Sequence, residues 1–211
     1  LGNLATPKSV QKLQMALHAK AKTEPGYRFY ALYDKIFRED ILAHAYAQCR
    51  SNKGVPGVDG QDFADVEAYG LGRWLGELAL ALKEETYRPD PIRRVYIPKA
   101  NGNLRPLGIS TLRDRTCMTA AMLVLDPIFE ADLPPEQYAY RADRNAQQAV
   151  IDVEETLFLD HPEVVDADLA DYLERASHYP RSVGCASKRS GRAAGSLILK
   201  PFLRPQLMCT A

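Results

Sequence analysis

Long apolar runs are absent from the 211-residue chain: no stretch approaches the roughly 20 residues that span a bilayer. The first thirty residues also lack a signal-peptide core, so a cytoplasmic protein with no membrane partner is expected. Cysteine is scarce, and Cys49, Cys117, Cys185 and Cys209 show neither CxxC nor Cys/His ligand spacing, which excludes a zinc ribbon and a disulfide framework. Net charge is missing too: 27 basic residues balance 27 acidic ones, unlike a histone-like protein or an acidic tail. The balance hides an asymmetry. Residues 1–174 hold 20 basic and all 27 acidic side chains, whereas 175–211 hold 7 basic residues and no acid. A sequence of average composition would seldom leave such a length without an acid. The tail reads as a basic nucleic-acid segment or, preferably, as the product of a shifted reading frame. The first residue is Leu1 rather than Met, as a fragment, a processed end or an unusual initiation codon would give.

Hydrophobic residues make up 46% of the chain, enough to build a core, and their spacing divides it. From Arg28 to Arg50 apolar side chains recur at helical intervals, with a break expected near Asp40. Residues 52–60 contain Gly54, Pro56, Gly57 and Gly60, which end the helix in a shaped loop. A second helix is expected from about Asp62 to Glu85, burying Phe63, Val66, Trp74, Leu75, Leu78 and Leu82 and weakened by Gly70, Gly72 and Gly76. After Pro89 and Pro91 the pattern changes to β-formers and cations over Ile92–Lys99. Asn101-Gly102 then offers a turn into Leu104–Ile109, where Pro106 confines the partner strand to an edge or a bulge. Thr111 and Asp114 predict the cap of a helix to about Leu125, which Pro127 stops. A further helix fits Asp143 to Leu159, with Ala146, Ala149, Val150, Val153 and Leu157 inward, and residues 163–169 read as a buried strand ending in acid. The expected fold class is α+β.

Two constellations carry chemistry. Arg88, Arg93, Arg94, Lys99, Arg105, Arg113 and Arg115 face only Asp90 and Asp114, a phosphate-seeking surface whose bland alternative is a solvated strand face. Register discriminates between them. A two-residue turn at Asn101-Gly102 sets Lys99 and Arg105 on opposite sides, whereas an odd loop or a bulge would set Lys99 across from Arg105, where both could grip one phosphate chain. The second constellation is Asp166, Asp168 and Asp171. Carboxylates on the face of an apolar strand are costly unless they meet a cation such as Mg²⁺, although acids that merely cap a turn would look the same.

The block Ile97-Pro98-Lys99-Ala100-Asn101-Gly102-Asn103-Leu104-Arg105-Pro106-Leu107-Gly108-Ile109, followed by Asp114-Arg115, resembles the first fingers block of group II intron-encoded reverse transcriptases, or maturases. Asn52-Lys53-Gly54 with Gly57-Val58-Asp59-Gly60 is similar to that family's N-terminal extension, and Leu125–Glu130 to the segment leading into its second block. Tyr138-Ala139-Tyr140-Arg141-Ala142-Asp143-Arg144 keeps the spacing of the Tyr-Gly-Phe-Arg-Pro form, and Val165–Tyr172 resembles polymerase motif A. The resemblance implies N-terminal helices, a fingers β-hairpin and a partial, incomplete palm. Its divisions are a helical extension over 1–87, fingers and the start of the palm over 88–174, and an aberrant basic tail over 175–211.

By that resemblance Asp168 is the catalytic carboxylate and, with the carbonyl of Leu169, a ligand of Mg²⁺, while Lys99 and Arg105 contact the triphosphate. Arg93, Arg94, Arg113, Arg115 and Arg141 become nucleic-acid contacts. The implied partners are intron RNA, or an RNA template with a DNA primer, together with deoxynucleotides. Nucleotidyl transfer of this kind uses two metal ions roughly 3.5 to 4 Å apart. The departures matter equally. Leu173 stands where the family has Phe, and no Tyr-x-Asp-Asp sequence occurs anywhere. The expectation is therefore a truncated RNA-directed DNA polymerase, inactive alone. The alternatives are a non-catalytic RNA-binding remnant and, from Asp166-Ala167-Asp168, a DxD metal-dependent glycosyltransferase.

Overall fold

The computed structural model describes residues 4–100, 102–159 and 161–167. It shows helices α1 (Lys8–Thr23), α2 (Tyr33–Ile36), α3 (Glu39–Ser51), α4 (Phe63–Tyr69) and α5 (Leu71–Lys83). Strands β1 (Arg93–Pro98) and β2 (Leu104–Ile109) follow, then α6 (Leu112–Glu130) and α7 (Ala146–Phe158). The mixture is α+β: a helical body bearing one antiparallel two-stranded ribbon. No helix among the described residues is long and apolar enough to cross a membrane.

The helical periodicity over 28–50 is interrupted between Ile36 and Glu39, close to the expected break. The apolar run from 62 to 85 forms two helices, because Gly70 adopts φ 104°, a conformation glycine takes without steric cost. Reciprocal capping between Asp62 and Asp65 starts the first of them. Val66, Trp74, Leu75, Leu78 and Leu82 are buried as the spacing predicts, whereas Phe63, expected with them, is only half-buried at the start of α4, and Trp74 donates its indole N–H to Gln61 Oε1 at 3.2 Å. Lys8–Thr23 adds a helix that the periodicity does not single out.

The core lies around α6, which packs against α1 and α3 and contributes Leu112, Cys117, Ala120, Val124 and Ile128. Opposite it sit Val10, Leu17 and Ala21 of α1 and Ile41, Leu42, Ala45 and Tyr46 of α3. Tyr46 meets Phe63 and Trp74 edge-on, joining α4 and α5 to the same core.

Two further expectations fail. Helix α6 does not stop before Pro127 but runs through it to Glu130. Proline lacks the N–H that would bond the carbonyl of Leu123, and the side-chain amide of Gln14 in α1 donates to that same carbonyl at 3.1 Å. A neighbouring helix thus supplies the missing donor. Lys22, eight residues further along α1, donates to the carbonyl of Ala131 at 3.3 Å, so the two helices run parallel and a cation sits at the C-terminal end of α6. In α7, capped by Asn145 and Gln148, no residue is buried. Its expected inward set fails, with Val150, Val153 and Leu157 65%, 54% and 40% exposed, because no described element covers that face.

Candidate nucleic-acid interface

The ribbon pairs Arg93 with Ile109, Val95 with Leu107, Ile97 with Arg105, and Pro98 with Leu104. Beyond the last pair the N–H of Lys99 donates to the carbonyl of Asn103 at 2.7 Å, and the N–H of Gly102 to the carbonyl of Lys99 at 2.9 Å. The connection is therefore three residues long, with Gly102 at φ 81° absorbing the extra residue. Asn101, half of the expected two-residue turn, lies outside the described residues. An odd connection sets Arg93, Lys99 and Arg105 on one face of the ribbon and Arg94 on the other with Tyr96. Lys99 faces Asn103, so the direct pairing of Lys99 with Arg105 that the phosphate-gripping reading requires does not form. The two cations are diagonal neighbours, whose Cα atoms in such a ladder stand about 7–8 Å apart. All three are exposed.

The loop at 52–60 lies against the base of this ribbon. Arg93 Nη1 donates to the carbonyl of Pro56 at 3.3 Å, and Arg115 Nη2 to that of Val55 at 2.5 Å. Gly57 rests on the backbone at Thr111 so closely that a Cβ there would lie 2.7 Å from the Thr111 N and Cα. This contact requires glycine at 57.

The remaining cations are committed differently. Arg113 stacks its guanidinium 5.5 Å from the ring centre of Tyr87, and Arg115 Nε donates to the carbonyl of Ser110 at 3.1 Å. Arg141 places two nitrogens on Glu130 Oε1, at 2.6 and 3.0 Å, and a third on the carbonyls of Pro134 and Gln137. It staples its own loop.

Beneath the ribbon, sequence reasoning treats Asp114 only as a helix cap. Its backbone N–H does donate to Thr111 Oγ1 at 3.2 Å, yet its carboxylate also accepts the Tyr87 hydroxyl proton on Oδ1 and the Asp90 N–H on Oδ2 at 3.1 Å. Burial raises the carboxyl above its ordinary range, and burial likewise raises the Tyr87 hydroxyl and pushes the Cys117 thiol up to about 12. The signal available in sequence was Tyr87 before a Pro-bounded strand, with an acid in the helix that follows the hairpin.

The second constellation is corrected in its described part. Residues 161–167 form no strand, and Val164 and Val165 are 70% and 91% exposed rather than buried. A strand needs a partner ladder, and the only described sheet is the ribbon itself. Asp166 is exposed there, while Asp168, Leu169 and Asp171 lie outside the described residues. Among the described residues no three His, Cys, Asp or Glu side chains cluster to hold a metal ion.

No family model matches the chain. Protein YkfC of Escherichia coli K12 is 36% identical over 176 residues, covering 80% of this chain and 46% of YkfC. The group II intron-encoded protein LtrA of Lactococcus lactis is 33% identical over 124 residues, 58% of this chain and 20% of LtrA. The putative COX1/OXI3 intron 1 protein of Saccharomyces cerevisiae is 26% identical over 141 residues, 66% of this chain and 16% of that protein. The chain thus spans less than half the length of these curated relatives. Together with the ordered fingers blocks, these likenesses make the chain a homologue of group II intron-encoded proteins, consistent with the N-terminal part of a reverse transcriptase/maturase.

Proposed function

We propose that the chain is an RNA-binding, fingers-side portion of an RNA-directed DNA polymerase of the maturase type that does not polymerise alone. The observation that carries this reading is the register of the ribbon, which brings Arg93, Lys99 and Arg105 to one exposed face in a homologue of these intron-encoded proteins. Three cations along one face can neutralise successive phosphates of an RNA strand, or the triphosphate of a deoxynucleotide held beside it. The loop at 52–60 extends that surface, and its Lys53 is exposed. Arg94, on the opposite face, can meet a second backbone segment. In this reading Arg115 and Arg141 hold the protein's own loops and Arg113 covers the Tyr87 ring, while Lys99 and Arg105 lead the nucleic-acid contacts, joined by Arg93, which also holds the loop at Pro56.

Metal chemistry belongs to Asp168 and the Leu169 carbonyl, which would hold Mg²⁺ in the intact polymerase. Both lie outside the described residues, and the reading that the chain does not polymerise alone rests on the sequence, which holds no Tyr-x-Asp-Asp. Primer extension with Mg²⁺ and deoxynucleotides, run beside anisotropy of a labelled RNA template annealed to a DNA primer, tests the reading. Salt-sensitive binding without incorporation is expected. Incorporation that Asp168→Ala abolishes would show an active polymerase, and failure to bind RNA would remove the reading entirely.

A further inference from the structure

We propose that the first turn of α6 is the positioning device of the nucleic-acid face, with Asp114 as its central positioning residue. It fixes the ribbon and the 52–60 loop in the binding geometry before any ligand arrives. The proposal rests on the ribbon being the RNA-binding face.

A two-stranded ribbon exposed on both sides is marginal by itself, so its direction relative to the helical body is set by whatever holds its two ends. Those ends converge on residues 111–115. Asp114, only 4% exposed, accepts from Tyr87 and from the N–H of Asp90, the two points that bracket the chain just ahead of β1. Arg115 donates to the carbonyl of Ser110 just after β2 and to that of Val55 in the loop. Thr111 caps the helix through its hydroxyl and offers the backbone on which Gly57 rests. One helical turn therefore clamps the chain before the ribbon, the chain after it and the loop beside it. A buried carboxylate is costly, and here two donors from one segment satisfy it, which ties the burial of Asp114 to the placement of that segment.

A ribbon with loose ends would bind only in its aligned fraction, and apparent affinity would fall by that fraction while the bound complex stayed the same. The test compares the wild type with Tyr87→Phe and Asp114→Asn, using the labelled RNA–DNA primer–template over a salt series and amide hydrogen exchange across residues 54–60 and 93–109. Both variants are expected to exchange faster in these segments and to bind about tenfold more weakly. Their slope of log affinity against log salt should equal the wild type's, because the same phosphates are neutralised once bound. Unchanged affinity, or a reduced slope signalling lost phosphate contacts, would overturn the proposal. Tyr87→Phe keeps the ring in place, so it decides the matter if Asp114→Asn fails to fold. If the wild type binds no RNA, the binding reading fails by itself, and unchanged exchange in the variants would separately refute the clamp.

Discussion

Seven cations crowd residues 88–115, and charge counting treats them as equals. The structure does not. Lys99 and Arg105 stand on the exposed face, whereas Arg115 satisfies backbone carbonyls and Arg113 covers a tyrosine ring. Composition shows that a guanidinium is present but not which carbonyl it will meet, since that depends on loops folded some sixty residues away in the chain, as Val55 is from Arg115. His44 is a further residue whose role burial decides. It is 4% exposed in α3, and burial lowers its pKa from 6.5. The folded state therefore takes up its proton less readily than the unfolded one. The His44 contribution is intact above pH 6.5 and is lost as pH falls through 6.5 toward the lower folded value. Asp114, shifted upward, works in the opposite sense, favouring the fold as it protonates and losing that contribution as pH rises. Melting temperatures taken between about pH 7 and 5.5 should fall on the acid side, and His44→Leu should flatten the fall. An equal slope in the variant would assign the effect to other groups.

Elements are legible in sequence when their cause is local. The buried stripe of α5 and the Thr111 cap of α6 rest on residues within a few positions of one another, and both form. What escapes is decided at a distance. Nothing near Pro127 reveals that a glutamine more than a hundred residues earlier will bond the carbonyl the proline leaves open. The ribbon's register shows the same division, since cations on one face follow from an odd connection, while its length depends on Gly102 taking a positive φ. Removing the distant donor should be measurable. Gln14→Leu leaves the Leu123 carbonyl without that partner and is expected to cost about 1–3 kcal/mol in urea unfolding. Restoring a backbone donor with Pro127→Ala in the same chain should recover much of it. Loss of the same size in both backgrounds would show that the Gln14 bond does not compensate for proline.

At the scale of the whole molecule, one packed helical body carries two features that no other described element covers, the cationic ribbon and the apolar face of α7. Ile151 and Phe158 join the exposed apolar residues of that helix, a pattern out of keeping with a lone surface helix. The central claim concerns the ribbon. It is tested most directly by the salt dependence of RNA binding in Lys99→Ala/Arg105→Ala against the wild type. Neutralising two phosphate contacts should weaken binding and lower the slope of log affinity against log salt by about 1.4. An unchanged affinity and slope would contradict the account, because the face on which these two cations stand would then not be where the RNA lies.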